Sequence, residues 1–348
     1  RRQEMKVGSV ALIGRPNVGK STLLNALLGQ KVAIISDKPQ TTRISILGIK
    51  TTAAGQIVFI DNPGIHKPLH ALNRRMMHFV HSALETADVL CLLIDATERY
   101  GHGDEFVIET LRKVKTPIFL LINKVDIVRK DTILPIIDKY KDLLPFKEII
   151  PISALKGTNL DVLEKRIYDF LPEAEKQYED GTVTDLTLRF QLAEIIREKL
   201  LQRVEKELPF VTAVLIERME ERAPVEEAVS SSDITEETGR PGDLPLASKS
   251  AALPPTGVAP AVLKMGTERA KRPARKATYI SATIFVERDN HRIIVIGRRG
   301  QVIKMIGIEA RREIEQVLGS RVFLDLKVKV KEKWRDSPEV LDLIEGQR

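Results

Sequence analysis

The stretch Gly14-Arg15-Pro16-Asn17-Val18-Gly19-Lys20-Ser21 stands between the apolar run VALI at 10–13 and the amphipathic run STLLNALLG, and it restricts the fold more than any other feature. Its spacing of glycines, lysine and hydroxyl residue makes a phosphate loop when a strand precedes it and a helix follows. Backbone N–H groups then wrap a phosphate, the helix N-terminus adds its dipole, Lys20 neutralises the outer phosphate oxygens, and Ser21 offers a hydroxyl to Mg²⁺. Gly14, Asn17, Val18, Gly19, Lys20, Ser21 and Thr22 are therefore the candidate phosphate-binding residues. A chain built this way is expected to be α/β, with a mostly parallel sheet and crossover helices.

The runs that follow extend the pattern: QIVFI at 56–60, DVLCLLI at 88–94, PIFLLI at 117–122 and EIIPI at 148–152. They are rich in Val, Ile, Leu and Phe, as strands covered on both faces are. We read 5–172 as one nucleotide-binding domain, with each strand ending at a chemically distinctive loop at the sheet edge where ligands bind. After QIVFI comes Asp61-Asn62-Pro63-Gly64, where Asp61 can hold Mg²⁺ through water and the Gly64 N–H can sense a γ-phosphate. In KPQTTR a threonine hydroxyl can also reach Mg²⁺, and we favour Thr42 over Thr41. After PIFLLI comes Asn123-Lys124-Val125-Asp126. The Asp126 carboxylate can accept from both N1–H and the N2 amine of guanine, a donor pair that adenine lacks. Ser153-Ala154-Leu155, after the next strand, would close over the base. These spacings imply a GTP-binding, GTP-hydrolysing site in which Lys20, Thr42, Asp61 and Gly64 carry the chemistry, with Ser21 and Thr42 on Mg²⁺. Ile65 stands where many signalling GTPases carry a water-orienting glutamine. A slow reaction follows, with K⁺ at Asn17 as a candidate aid.

Beyond Leu171 the pattern changes. Residues 173–187 are polar and read as a linker; 188–335 read as a smaller α+β domain; 336–348 read as a C-terminal tail. LRFQLAEIIREKLLQRVEKEL carries a helical apolar stripe and PFVTAVLIERME reads as a strand. Residues 222–277 hold seven prolines, four glycines and no aromatic residue, too little to stabilise a packed core, so this insertion is expected to be disordered. Its basic end KMGTERAKRPARK reads as a solvated tail or as an arm touching RNA. Gly297-Arg298-Arg299-Gly300 follows RIIVIG, read as a strand, and precedes two helical segments and RVFLDLKVKV. This G-x-x-G arrangement lets a sugar-phosphate backbone approach closely in KH domains. Arg298 and Arg299 then contact phosphate, and Ile294, Ile296, Ile303 and Ile306 either line a base groove or belong to the core. Residues 278–335 hold 13 Lys or Arg against seven Asp or Glu, most of the chain's net charge of +7.

That charge leans toward polyanionic partners. Cys91, the only cysteine, excludes an intrachain disulfide framework and a multi-thiolate zinc site, and inside VLCLLI it reads as a buried hydrophobe. No apolar run approaches the roughly 20 residues needed to cross a bilayer. The opening RRQEM lacks an initiator methionine at its first position, which leaves a missing upstream segment and an organelle compartment open. His78 and His81 share a helix face, but no third metal ligand is evident.

GRPNVGKS, KPQTTR, DNPG, NKVD, SALKG, AEIIREKLL, VIGRRG with IGIEARREIE, and VKVKEKWR together resemble the Era family of bacterial and organellar GTPases, over all but 222–277. The resemblance implies binding of the 3′ end of small-subunit ribosomal RNA through a KH domain, and a checkpoint role in assembling that subunit. It also implies peripheral association with the inner membrane; a monomer is expected, in the cytoplasm or in an organelle. Asn62 departs from the family's usual Thr. Two readings compete at this stage: a GTP-driven timer, and an RNA-binding chaperone whose nucleotide site is mainly structural. A role in tRNA modification or membrane traffic fits VIGRRG less well.

Overall fold

The computed structural model describes residues 5–222 and 277–348. In the first domain the strands are β1 (Met5–Gly14), β2 (Ile46–Thr52), β3 (Gly55–Asp61), β4 (Val89–Asp95), β5 (Ile118–Asn123), β6 (Glu148–Pro151) and the short β7 (Glu173–Ala174). The helices are α1 (Lys20–Leu28), α2 (Ala71–Thr86), α3 (His102–Leu111), α4 (Ile133–Tyr140) and α5 (Leu160–Phe170). The sheet order is β2-β3-β1-β4-β5-β6, with β7 beside β1; β2 and β7 run antiparallel and the rest are parallel. Strand order reverses around β1, and the carboxyl ends of β1 and β3 open the crevice there.

Strand alternation makes two cores. Val10, Leu12, Phe59, Cys91, Leu93, Phe119 and Leu121 pack against α1 and α5, while Ala11, Ile13, Leu90, Leu92, Ile94, Leu120 and Ile122 pack against α2, α3 and α4. The mostly parallel sheet expected from the apolar runs is present. The strand β2, whose ILGIKTT mixes polar and apolar residues, is not among those runs because it lies antiparallel at the sheet edge. Cys91 is fully buried and burial pushes its thiol pKa up.

The linker lies along the first domain. Gln56 holds it, its Oε1 accepting from Gln177 and Tyr178 backbone N–H and its Nε2 donating to Tyr178 O.

The second domain runs α6 (Leu188–Arg203), α7 (Leu208–Val211), β8 (Ala213–Arg222), β9 (Ala277–Val286), α8 (Asp289–Ile296), α9 (Gln301–Leu318) and β10 (Arg321–Val330). Its sheet is ordered β10-β9-β8, with β9 and β10 parallel and β8 antiparallel to β9. Helices α6 and α9 cover one face over Leu192, Ile196, Leu200, Ile280, Ile284, Ile306 and Ile314. Apart from Arg222 and Ala277, which pair at the strand ends, the insertion expected to be disordered lies outside the described residues.

Three readings of this half are corrected. RIIVIG is the end of helix α8 and not a strand. His291 and Val295, four apart, are buried while Arg292, Ile293 and Ile294 are exposed, a helical rhythm that the β-branched composition masked. The two helical segments after GRRG are one continuous helix, α9. The expected strand PFVTAVLIERME also begins later than read, because Leu208–Val211 forms a helical turn with Pro in its first turn. The C-terminal segment is structured, with a turn at Trp334–Asp336 followed by α10 (Pro338–Glu345). Trp334 is fully buried and donates from Nε1 to Val211 O at 2.8 Å.

Candidate functional site

The phosphate loop connects β1 to α1 and can be made by few sequences. Gly19 has φ +100°, and a Cβ there would sit 2.3 Å from Asn123 Nδ2. A Cβ on Gly64 would meet the Pro16 backbone nitrogen at 2.6 Å, so the DNPG turn approaches the loop closely only because it carries glycine. Arg15 anchors the loop from outside through ion pairs to Glu98 at 2.9 Å and Asp104 at 3.0 Å.

Ser21, Thr42 and Asp61 converge from three elements. Ser21 Oγ donates to Asp61 Oδ2 at 2.6 Å and lies 3.0 Å from Thr42 Oγ1, which donates to the same carboxylate oxygen at 3.3 Å. Thr41 is turned away, donating to Lys38 O at 2.6 Å. Asp61 is fully buried and its Oδ1 has no partner. Burial raises its pKa, with Lys20 and the two hydroxyls pulling the other way. Two hydroxyls and one carboxylate are hard oxygen donors suited to Mg²⁺, and an orphaned buried oxygen on the carboxylate fits an ion held there directly or through water. Among the described residues no three His, Cys, Asp or Glu side chains gather into another metal site, and His78 and His81 point to solvent.

Lys20 Nζ donates to Arg15 O at 2.9 Å and Gly14 O at 3.4 Å. Burial lowers its pKa to about 8, against the pull of Asp61. A buried cation and a buried carboxylate, each short of solvation, are what a phosphate group and a divalent cation would relieve. The cavity they face has a volume of about 430 Å³ and is closed on its far side by Ile34, Ile35, Ser36, Asp37, Gln40, Thr41 and Thr42. Thr22 and Gly64 line it as well.

On the base side, Asn123 is a bracket: its Nδ2 donates to Val18 O at 2.8 Å and its Oδ1 accepts from Ala154 N at 2.9 Å. Ser153 Oγ donates to Asp126 Oδ1 at 2.7 Å and accepts from Lys156 N, which aims the carboxylate. Leu155 is exposed. Lys124 pairs with Asp95 at the end of β4, a residue the motif reading missed although a carboxylate ending an apolar strand was a visible signal. Ile65 is 3% exposed in the second core, so its side chain cannot orient a water at the phosphates. The next residue, His66, has Nδ1 2.7 Å from Gly64 O and Nε2 2.9 Å from Asn73 Nδ2, which ties the Gly64 turn to α2.

In the second domain Gly297 and Gly300 both have φ +73°, and a Cβ on Gly297 would strike Val302 Cγ2 at 2.4 Å. Arg298 and Arg299 between them are exposed, and among the described residues neither makes an ion pair. Beside them a groove of about 320 Å³ is lined by Ile303, Gly307, Ile308, Phe323, Leu324 and Leu326, with Lys304 and Arg311. Of the four candidate isoleucines, Ile303 lines the groove, Ile306 is fully buried core, Ile294 is exposed and Ile296 half-buried. A glycine-rich turn with exposed cations beside an apolar trough suits a single-stranded nucleic acid.

Residues 9–124 match the family described as 50S ribosome-binding GTPase, and residues 267–335 match the KH domain family. Over nearly its whole length the chain is similar to the solved structure of Era in complex with MgGDPNP and nucleotides 1506–1542 of 16S ribosomal RNA. The two are 39% identical, the match covers 98% of each chain, and the TM-score is 0.80. A variant of Aquifex aeolicus Era bound to GDP.AlF4⁻ is 38% identical, covering 98% of this chain and 99% of the other at a TM-score of 0.78.

Proposed function

The chain belongs to the Era family of GTPases, and from that membership we propose that it binds the 3′ end of small-subunit ribosomal RNA through its KH domain and uses GTP hydrolysis to time assembly of that subunit. The observation that carries the GTP-switch part of the reading is the convergence of Ser21 and Thr42 on one oxygen of the buried Asp61 carboxylate, whose other oxygen has no partner. A bound Mg²⁺ there would neutralise charge developing on the phosphates. The phosphate-loop N–H groups and Lys20 hold the β- and γ-phosphates, the Gly64 N–H reports the γ-phosphate, and Asp126 with Ser153 selects guanine. With Ile65 buried, the attacking water has no side-chain guide at that position, so intrinsic turnover is slow. A K⁺ contribution would use the Asn17 amide oxygen as ligand; the amide nitrogen donates to Asp37 O at 2.6 Å, against the loop that closes the cavity. The match to a 50S ribosome-binding model spans the nucleotide domain alone, so the RNA partner is argued from the whole-chain relatives.

We further propose a cytoplasmic monomer that touches the inner membrane peripherally. Among the described residues no helix is long and apolar enough to cross a membrane. The test is ultraviolet crosslinking of the full chain in cells, followed by sequencing of the bound RNA. Enrichment of the 3′ end of small-subunit ribosomal RNA is the expected result. Unselective cellular RNA would overturn it in favour of a general RNA chaperone.

A further inference from the structure

We propose that Arg43 is a positioning residue for the GTP site, anchored in the RNA-binding domain, so that closure of Thr42 over Ser21 and Asp61 depends on how that domain is seated. The inference rests on the reading of Thr42 as the nucleotide-sensing hydroxyl.

Arg43 follows Thr42 directly and leaves the nucleotide domain altogether. Its Nη1 donates to Thr212 O at 2.7 Å, and its Nη2 donates to Pro209 O at 2.8 Å and Phe210 O at 3.4 Å. These carbonyls end the α7 turn, where backbone acceptors lack helical partners. The guanidinium carbon lies 5.6 Å from the centroid of the Trp334 ring. Two further grips act on the same loop. Arg197 Nη2 donates to Thr41 O, and Glu198 Oε1 accepts from Ile35 N at 3.0 Å. Arg43, Arg197 and Glu198 are all buried, so each contact is made away from solvent, where leaving a partner unmet is costly.

The loop that closes the nucleotide cavity is thus held at Ile35, Thr41 and Arg43 by the second domain. The other sensing segment is held by the same region. Trp334 packs with Leu72 and Met76 of α2, and Asp336 accepts from Ala71 N at 2.8 Å. A displacement of α7 or Trp334 would therefore reach Thr42 through one peptide bond, and by linkage a closed Thr42 would bias the seating of the RNA domain.

The experiment compares Mg²⁺-dependent binding of a nonhydrolysable GTP analogue and of GDP to the full chain, with single-turnover hydrolysis, for Arg43→Ala, Arg43→Lys, Arg197→Gln and Thr42→Ala. Arg43→Ala and Arg197→Gln are expected to weaken the GTP analogue by about tenfold while GDP affinity moves by less than about twofold, a coupling of ordinary size between sites. Hydrolysis should fall alongside, and Arg43→Lys, which keeps the charge but not the fork, should recover part of the loss. If Arg43→Ala fails to fold, Arg197→Gln carries the test from the neighbouring grip. Equal losses for both nucleotides would mark a merely structural contact and overturn the proposal, as would no loss for either. Should Thr42→Ala lose its GTP preference while both arginine variants keep theirs, the proposal alone fails. Should Thr42→Ala keep it too, the reading of Thr42 fails with it.

Discussion

Ser21 donates a 2.6 Å hydrogen bond to one oxygen of Asp61, and the other oxygen of that buried carboxylate has no partner. The carboxylate is therefore only half satisfied by protein. Replacing it with an amide should remove the charge that a divalent cation needs while leaving the Ser21 contact geometrically possible. Asp61→Asn is expected to keep GDP affinity within a few-fold, to lose the Mg²⁺-dependent gain in GTP affinity, and to slow hydrolysis by about 10²-fold or more, the scale on which preorganised charge stabilisation acts. Titrating Mg²⁺ against GTP-analogue binding checks this, and an unchanged Mg²⁺ dependence would remove Asp61 from the metal site.

Lys20 makes the site pH-sensitive in a definite direction. Burial lowers its pKa to about 8 from 10.5, so the folded protein binds fewer protons than the unfolded chain between those values. Stability of the nucleotide-free protein should therefore rise as pH climbs through that window, recovering a burial cost of about 3 kcal/mol that is fully present below it. Phosphates would restore the ammonium, so nucleotide binding at about pH 9 should take up a proton that binding at about pH 6.5 does not. Calorimetry in two buffers of different ionisation enthalpy measures that uptake. Finding none at the higher pH would mean that Lys20 is already charged without ligand.

The nucleotide half was legible because its chemistry is local: Lys20, Asp61 and Asp126 each follow an apolar run, and strand ends in a parallel sheet face one crevice. Helix α8 was not, since Ile293, Ile294 and Val295 favour a strand by composition and only the burial of His291 and Val295, the latter in the core of the second domain, decides otherwise. Arg43, Arg197 and Glu198 were invisible as a group because their meeting depends on the seating of two domains, which no spacing within KPQTTR or AEIIREKLL encodes. Charges within the apolar stripe of α6 were the available hint.

Asn62 has a structural role that its departure from the family's usual Thr leaves unstated. It is fully buried; its Nδ2 donates to Ile60 O at 3.1 Å and its Oδ1 accepts from Ser45 Oγ at 2.8 Å. A threonine hydroxyl is shorter and cannot both receive Ser45 and reach the Ile60 carbonyl. Asn62→Thr is expected to cost about 1–3 kcal/mol in stability, the usual price of a buried group left unpaired. GTP hydrolysis should persist, because Asp61 and Gly64 flank the change without relying on that amide. Chemical denaturation with parallel turnover assays separates the two effects, and equal stability would show that Ser45 re-pairs.

Arg298 and Arg299 differ from the groove beside them in what they should do to RNA binding. Both are exposed without ion-pair partners among the described residues, on a turn that Gly297 and Gly300 allow to approach a phosphate backbone. Each alanine substitution should weaken binding of single-stranded RNA uniformly across sequences and reduce the slope of log affinity against log salt by about 0.7. Substitutions at Ile303 or Leu326, which line the groove, should instead change base preference and leave the slope intact. Affinity measured over a salt series for two RNA sequences distinguishes them. An unchanged slope in the double arginine variant would mean that the backbone runs elsewhere on the domain.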